Sequence, residues 1–169
     1  MLDRQFTYIN EVVTPGQAIR FQNMGFEQGL CIYYWKGFMN DQGLLAFGLY
    51  ESAREGEKPQ LRAADSLLTE WMEKGFDPDQ AEGRYIAAFS TAQMMHLLGD
   101  GMALFQQADG GFRVPENERV FRYYELAEAA GELVEQLVAR EVLSLEQVNR
   151  ALRIYSQDTN ELIKRICEG

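Results

Sequence analysis

At 169 residues, 46% hydrophobic and 25% charged, the chain has the composition of an ordinary globular domain. A chain of this length can bury roughly two-thirds of its unfolded surface, so the disordered and fibrous classes are excluded. Its net charge of −10 is concentrated in two stretches: residues 51–82 hold nine acids against four bases, and residues 116–146 hold eight against three. Phosphate backbones and anionic membranes are recognised by clustered Lys and Arg, so the expectation is no direct nucleic-acid partner and no membrane partner, and instead a protein partner with a basic surface.

The two cysteines, Cys31 and Cys167, have no CxxC spacing, so neither a zinc site nor a disulfide framework is indicated. The opening "MLDRQFTYINEVV" mixes acid, base and amide and lacks an apolar signal-peptide core. No run reaches the ~20 apolar residues that span a bilayer. The expected compartment is a reducing cytoplasm.

In chain order, "FTYINEVV" (6–13) alternates as a strand should, "TPG" (14–16) has the order of a type II turn, and "AIRF" (18–21) is the expected return strand. "LCIYYW" (30–35) has no polar residue and reads as a strand apolar on both faces, central and covered from both sides. "FMNDQG" is a turn and "LLAFGLYE" the next strand, which continues an antiparallel meander. Leu61, Ala64, Leu67, Leu68, Trp71 and Met72 recur at helical spacing and predict a helix ending near Gly75. "RYIAAF" (84–89) is a strand or a helix start. Ser90 with Gln93 fits a capping box, followed by a short helix that "GDG" terminates. Asp109-Gly110 between apolar pieces predicts a hairpin, because Gly accepts the positive φ of a type I′ turn.

From about Glu116 to Arg140, Tyr123, Leu126, Ala127, Ala130, Leu133, Val134 and Leu137 form one apolar helical stripe, with Gly131 costing that helix ~1 kcal/mol relative to Ala. Ser144 with Gln147 opens a second helix, with Leu143 stapling onto Val148 and with Val148, Leu152, Tyr155, Leu162 and Ile166 as its inner face. The short joint between the two helices predicts an antiparallel hairpin, which also offers a surface for homodimer formation. The fold class is α+β: an antiparallel sheet covered by helices, in a single domain over 1–169, with 1–114 mainly sheet plus two helices and 115–169 the hairpin.

The chemistry-bearing motifs are few. The one histidine, His96, cannot build a multi-histidine metal site, and no P-loop, GxGxxG or GxSxG occurs, so no cofactor and no metal are expected. The sharpest catalytic idea is Cys31 as nucleophile with His96 as base, although burial in an apolar strand opposes the ionisation of the thiol. Tyr33, Trp35, Phe38, Phe47 and Tyr50 are the candidate ligand or partner surface. The leading functional expectation is a small acidic protein-binding protein of adaptor, chaperone, inhibitor or immunity type. The alternative is a small-molecule-binding or cysteine-dependent catalytic domain with an aromatic pocket around Cys31, Tyr33 and Trp35.

Overall fold

Thr14 organises the start of the fold. Its Oγ1 accepts from the Gln17 backbone N–H at 3.2 Å and its own N–H donates to Gln17 Oε1 at 3.1 Å, a complete capping box with Pro15 at the first helical position. A computed structural model describes the main chain over residues 11–52, 56–99, 105–106, 112–113, 120–121 and 126–168, with side chains over 11–52, 56–99, 126–157, 161 and 165–166. In it, helix α1 spans Pro15–Met24 and ends on Gly25 at φ 98°. The expected turn at 14–16 and return strand at 18–21 are therefore corrected to one helix, because Pro supports a helix start as readily as a turn. Val12 forms an isolated antiparallel bridge with Ser90, and Val13 N–H donates to Phe89 O at 2.9 Å. Residues 6–10 of the expected first strand lie outside the described residues.

Strands β1 (Tyr33–Met39), β2 (Leu45–Glu51) and β3 (Gln60–Ala64) form an antiparallel meander, and β4 (Arg84–Ala87) pairs with the other side of β1. The order β3-β2-β1-β4 places β1 in the interior of the sheet. The apolar strand thus begins three residues later than expected, and Ile32, ahead of it, is 55% exposed. One segment assignment also changes. Residues 61–64, expected in the helix, belong to β3, because β2 offers them an unpaired ladder and Asp65 caps a later start: its Oδ1 accepts from Leu68 N–H at 2.7 Å. Helix α2 spans Ser66–Glu73.

Helix α3 (Thr91–Leu98) has the expected Ser90–Gln93 capping box. The pairs Phe105↔Arg113 and Gln106↔Phe112 join β5 (Phe105–Gln106) to β6 (Phe112–Arg113) as an antiparallel pair. Asp109-Gly110, the expected turn, lies outside the described residues. A third strand, β7 (Val120–Phe121), occupies what was expected to be helix, and α4 (Leu126–Ala139) starts after it, with Tyr123 outside the described residues. Helix α5 (Leu145–Glu168) opens on the expected Ser144–Gln147 capping box. No helix among the described residues is long and apolar enough to cross a membrane.

The α+β class and the C-terminal helical hairpin stand, and both hairpin helices lean on α3. Asn149 on α5 pins the end of α1, its Oδ1 accepting from Glu27 N–H at 2.8 Å and its Nδ2 donating to Gly25 O at 3.1 Å. On one sheet face Trp35, Leu49, Ala63 and Ile86 are cross-strand neighbours in a core shared with Phe21, Met94, Leu133 and Leu152 from the helices. On the other face Phe38, Ala46, Tyr50 and Leu68 form a smaller core beneath α2. Gly131 has a packing reason: a Cβ there would stand 3.0 Å from both Val13 Cγ1 and Gln17 Nε2, so the missing side chain lets α1 reach α4. Ile166, expected on an inner face, is 71% exposed, because the burial of α5 is provided near its start, at Val148 and Leu152.

Candidate functional site

Side chains on β1 alternate between the faces, and the register decides what each one meets. Lys36 stands opposite Gly48 on β2 and Tyr85 on β4, while Tyr34 stands opposite Tyr50 and Ala87. Lys36 is only 6% exposed, although an ammonium is among the costliest groups to bury. Its Nζ donates to Pro78 O at 3.2 Å and to Ala81 O at 3.0 Å. It also lies 5.1 Å from the ring centroid of Phe38, 5.5 Å from that of Tyr50 and 5.3 Å from that of Tyr85. Carbonyl dipoles and ring faces thus replace the water that the charge has lost. The lysine also fastens the 77–82 connector to the sheet.

Beside this lysine the sheet face opens into a cleft of about 960 Å³, floored by Lys36 and Tyr50, walled by Tyr85 and rimmed by Glu57, Lys58 and Asp79. An adjoining pocket of about 310 Å³ is lined by Tyr34, Tyr50, Ser52, Glu57, Pro59 and Tyr85. Tyr50 and Tyr85 meet edge to face, with centroids 5.8 Å apart and planes at 84°. The Tyr50 hydroxyl donates to Asp79 Oδ1 at 3.4 Å, and the Tyr34 hydroxyl accepts from Cys31 N–H at 3.3 Å. Burial pushes the Tyr50 phenol well above its ordinary range, and the neighbouring Asp79 carboxylate adds to the shift. Tyr34 and Tyr85 are raised as well, first by burial. All three are neutral phenols at physiological pH.

The sequence-derived candidates fall elsewhere or separate. Tyr33, Trp35 and Phe47 face the larger core, whereas Phe38 and Tyr50 face the smaller one, so the five aromatics do not form one wall. Trp35 is 1% exposed with its indole N–H on Val13 O at 2.9 Å, and Phe38 packs edge to face on Phe76 at 5.5 Å. Of the five, only Tyr50 lines the cleft. The cleft's other residues went unread, although one signal was present: Lys36 is the single charge inside "YYWKGFM", a strand otherwise without one.

Cys31 is buried and its Sγ donates to Gln93 Oε1 at 3.6 Å. His96 is exposed on α3, its ring 5.2 Å from that of Tyr155. The structure thus gives the thiol an amide partner and the imidazole an aromatic one. Burial pushes the Cys31 thiol up to about 12, outweighing the hydrogen bond it makes to Gln93, which acts the other way. At pH 8 labelling of Cys31 by a disulfide reagent should therefore be at least tenfold slower in the folded protein than in denaturant, with Cys31→Ala identifying the signal. Equal rates in both states would show the thiol to be accessible and ionised. The same shift has a stability consequence: above pH 9 the unfolded thiol ionises while the folded one does not. This group's contribution is then lost at about 1.4 kcal/mol per pH unit until the folded thiol titrates.

Among the described residues no group of three or more His, Cys, Asp or Glu could hold a metal ion. Comparison with protein-family models, curated proteins and solved structures finds no match for this chain.

Proposed function

We propose that this chain is a binding protein that acts by contact with another protein, and that the partner docks over the cleft of Tyr50 and Tyr85 and the adjoining pocket that Tyr34 helps to line. The observation that carries the reading is an open cleft whose floor is already fixed: Lys36 and Tyr50 are each held by hydrogen bonds and aromatic contacts. A site ordered in advance loses little side-chain freedom on binding. The half-exposed wall residue Tyr85, 42% exposed, supplies an amphipathic ring of the kind enriched in protein interfaces. The excess of acid over base directs the choice toward partners with basic surfaces. Cysteine-dependent chemistry gains no support, because Cys31 turns its sulfur toward Gln93 rather than toward the cleft.

The test is affinity capture from the source cell with the wild-type chain and with Tyr85→Ser, a change at an exposed ring, with thermal melting used to show that both baits are folded. A defined protein retained by the wild type and reduced at least fivefold on the variant is the expected result. Equal retention on both baits, or no specific retention on either, would refute the reading.

A further inference from the structure

We infer that the 310 Å³ pocket receives a lysine-type ammonium, free or methylated, from the partner; this rests on the binding reading above and names the group recognised. Three aromatic rings drawn from three adjacent strands line the pocket, and two of them stand at right angles, so a group entering that corner meets ring surface on more than one side. Ring faces attract cations through their negative quadrupole. Among the described residues of the lining, the one ionisable group besides the phenols is Glu57, an exposed carboxylate. Both lysines of the neighbouring cleft, Lys36 and Lys58, are absent from this lining.

An anion is a poorer occupant on each of these counts. It would face Glu57, and one of the hydroxyls of the lining, that of Tyr50, is already committed to Asp79. The neutral phenols carry no charge of either sign, and among the described residues of the lining Glu57 contributes a negative one. The fold itself uses the same rings for a cation on the adjoining side, where the Lys36 ammonium lies 5.5 Å from Tyr50 and 5.3 Å from Tyr85. That internal charge is held by the carbonyls of Pro78 and Ala81. The volume lies near the lower end of the roughly 300–1,000 Å³ typical of small-ligand sites, and suits a single side chain better than a large cofactor.

The experiment titrates the intact chain with four blocked amino acids, followed by NMR of the tyrosine rings: Nα-acetyl-lysine methylamide, its Nε-trimethyl form, its Nε-acetyl form, and Nα-acetyl-glutamate methylamide. The two cationic probes should shift the ring signals of Tyr34 and Tyr85. The uncharged and anionic probes should bind at least about tenfold more weakly. Glu57→Gln should weaken the cationic probes several-fold and flatten their salt dependence while leaving the fold intact, and Tyr85→Ser should abolish the shifts. Neutral or anionic probes binding as well as the cations would overturn the inference, as would an absence of shifts at tens of millimolar probe. If partner capture depends on Tyr85 but the cationic amides neither bind nor compete, the binding reading stands and this inference falls. If the amides bind with the stated selectivity while capture ignores Tyr85, the pocket's chemistry stands and the docking site is elsewhere.

Discussion

Lys36→Ala is expected to destabilise the protein by about 3–4 kcal/mol, and Lys36→Met by only about 1 kcal/mol. Both changes strip the carbonyls of Pro78 and Ala81 of their donor and remove the cation from the rings of Phe38, Tyr50 and Tyr85. Hydrogen bonds to a charged group are worth about 1.5–3 kcal/mol, but taking the ammonium out of water costs several kcal/mol, and that cost disappears with the charge. The two terms largely offset one another in the methionine variant, which also keeps an apolar stem. Alanine loses the stem as well, at about 0.8 kcal/mol per buried methylene plus the cavity left behind. Urea unfolding measures the difference. Amide exchange adds a local signature, because residues 77–82 should lose protection in both variants. An alanine variant within 1 kcal/mol of wild type, or unchanged protection in 77–82, would mean that the lysine does not fasten this connector.

Gly83→Ala is expected to cost about 2–3 kcal/mol by overpacking. A Cβ at this position would stand 2.7 Å from the Gly37 carbonyl oxygen and 2.9 Å from both Cγ and Cε of Lys36. The oxygen cannot retreat easily, because Gly37 is paired with Phe47 on one side and Arg84 on the other. Gly29→Ala is the control, since a Cβ there meets nothing within 4 Å, and it should be close to neutral. Two of the three Gly83 clashes involve the Lys36 stem, so the double variant Lys36→Ala/Gly83→Ala should cost less than the summed single effects by at least about 0.5 kcal/mol. Strict additivity in equilibrium unfolding would show that the two positions do not share packing.

The contrast among three similar signals explains which parts of the fold were legible. Ser90–Gln93 and Ser144–Gln147 were read as helix starts, and both form the reciprocal bonds expected of them. Thr14–Gln17 makes the same pair of bonds, but the Pro-Gly that follows Thr14 also fits a turn. Leu61 and Ala64 fit a helical stripe and a strand equally well, and the strand forms because β2 is there to pair with it. The candidate site was less legible than the fold. Trp35 and Tyr34 are neighbours in sequence but face opposite sides of the sheet, so an aromatic run could not show which rings share a wall.

What the sequence by itself determined is what short-range physics controls. Helix starts capped within three residues, the apolar stripe of α4 and the α+β class follow from contacts that the chain makes with its own near neighbours. The tertiary structure alone decided that 60–64 is a strand, that Tyr34, Tyr50 and Tyr85 line one pocket, and that Lys36 is buried beside it. The physical reason is separation along the chain. The carbonyls that hold the Lys36 ammonium belong to residues 42 and 45 positions away, and no local pattern encodes partners at that distance.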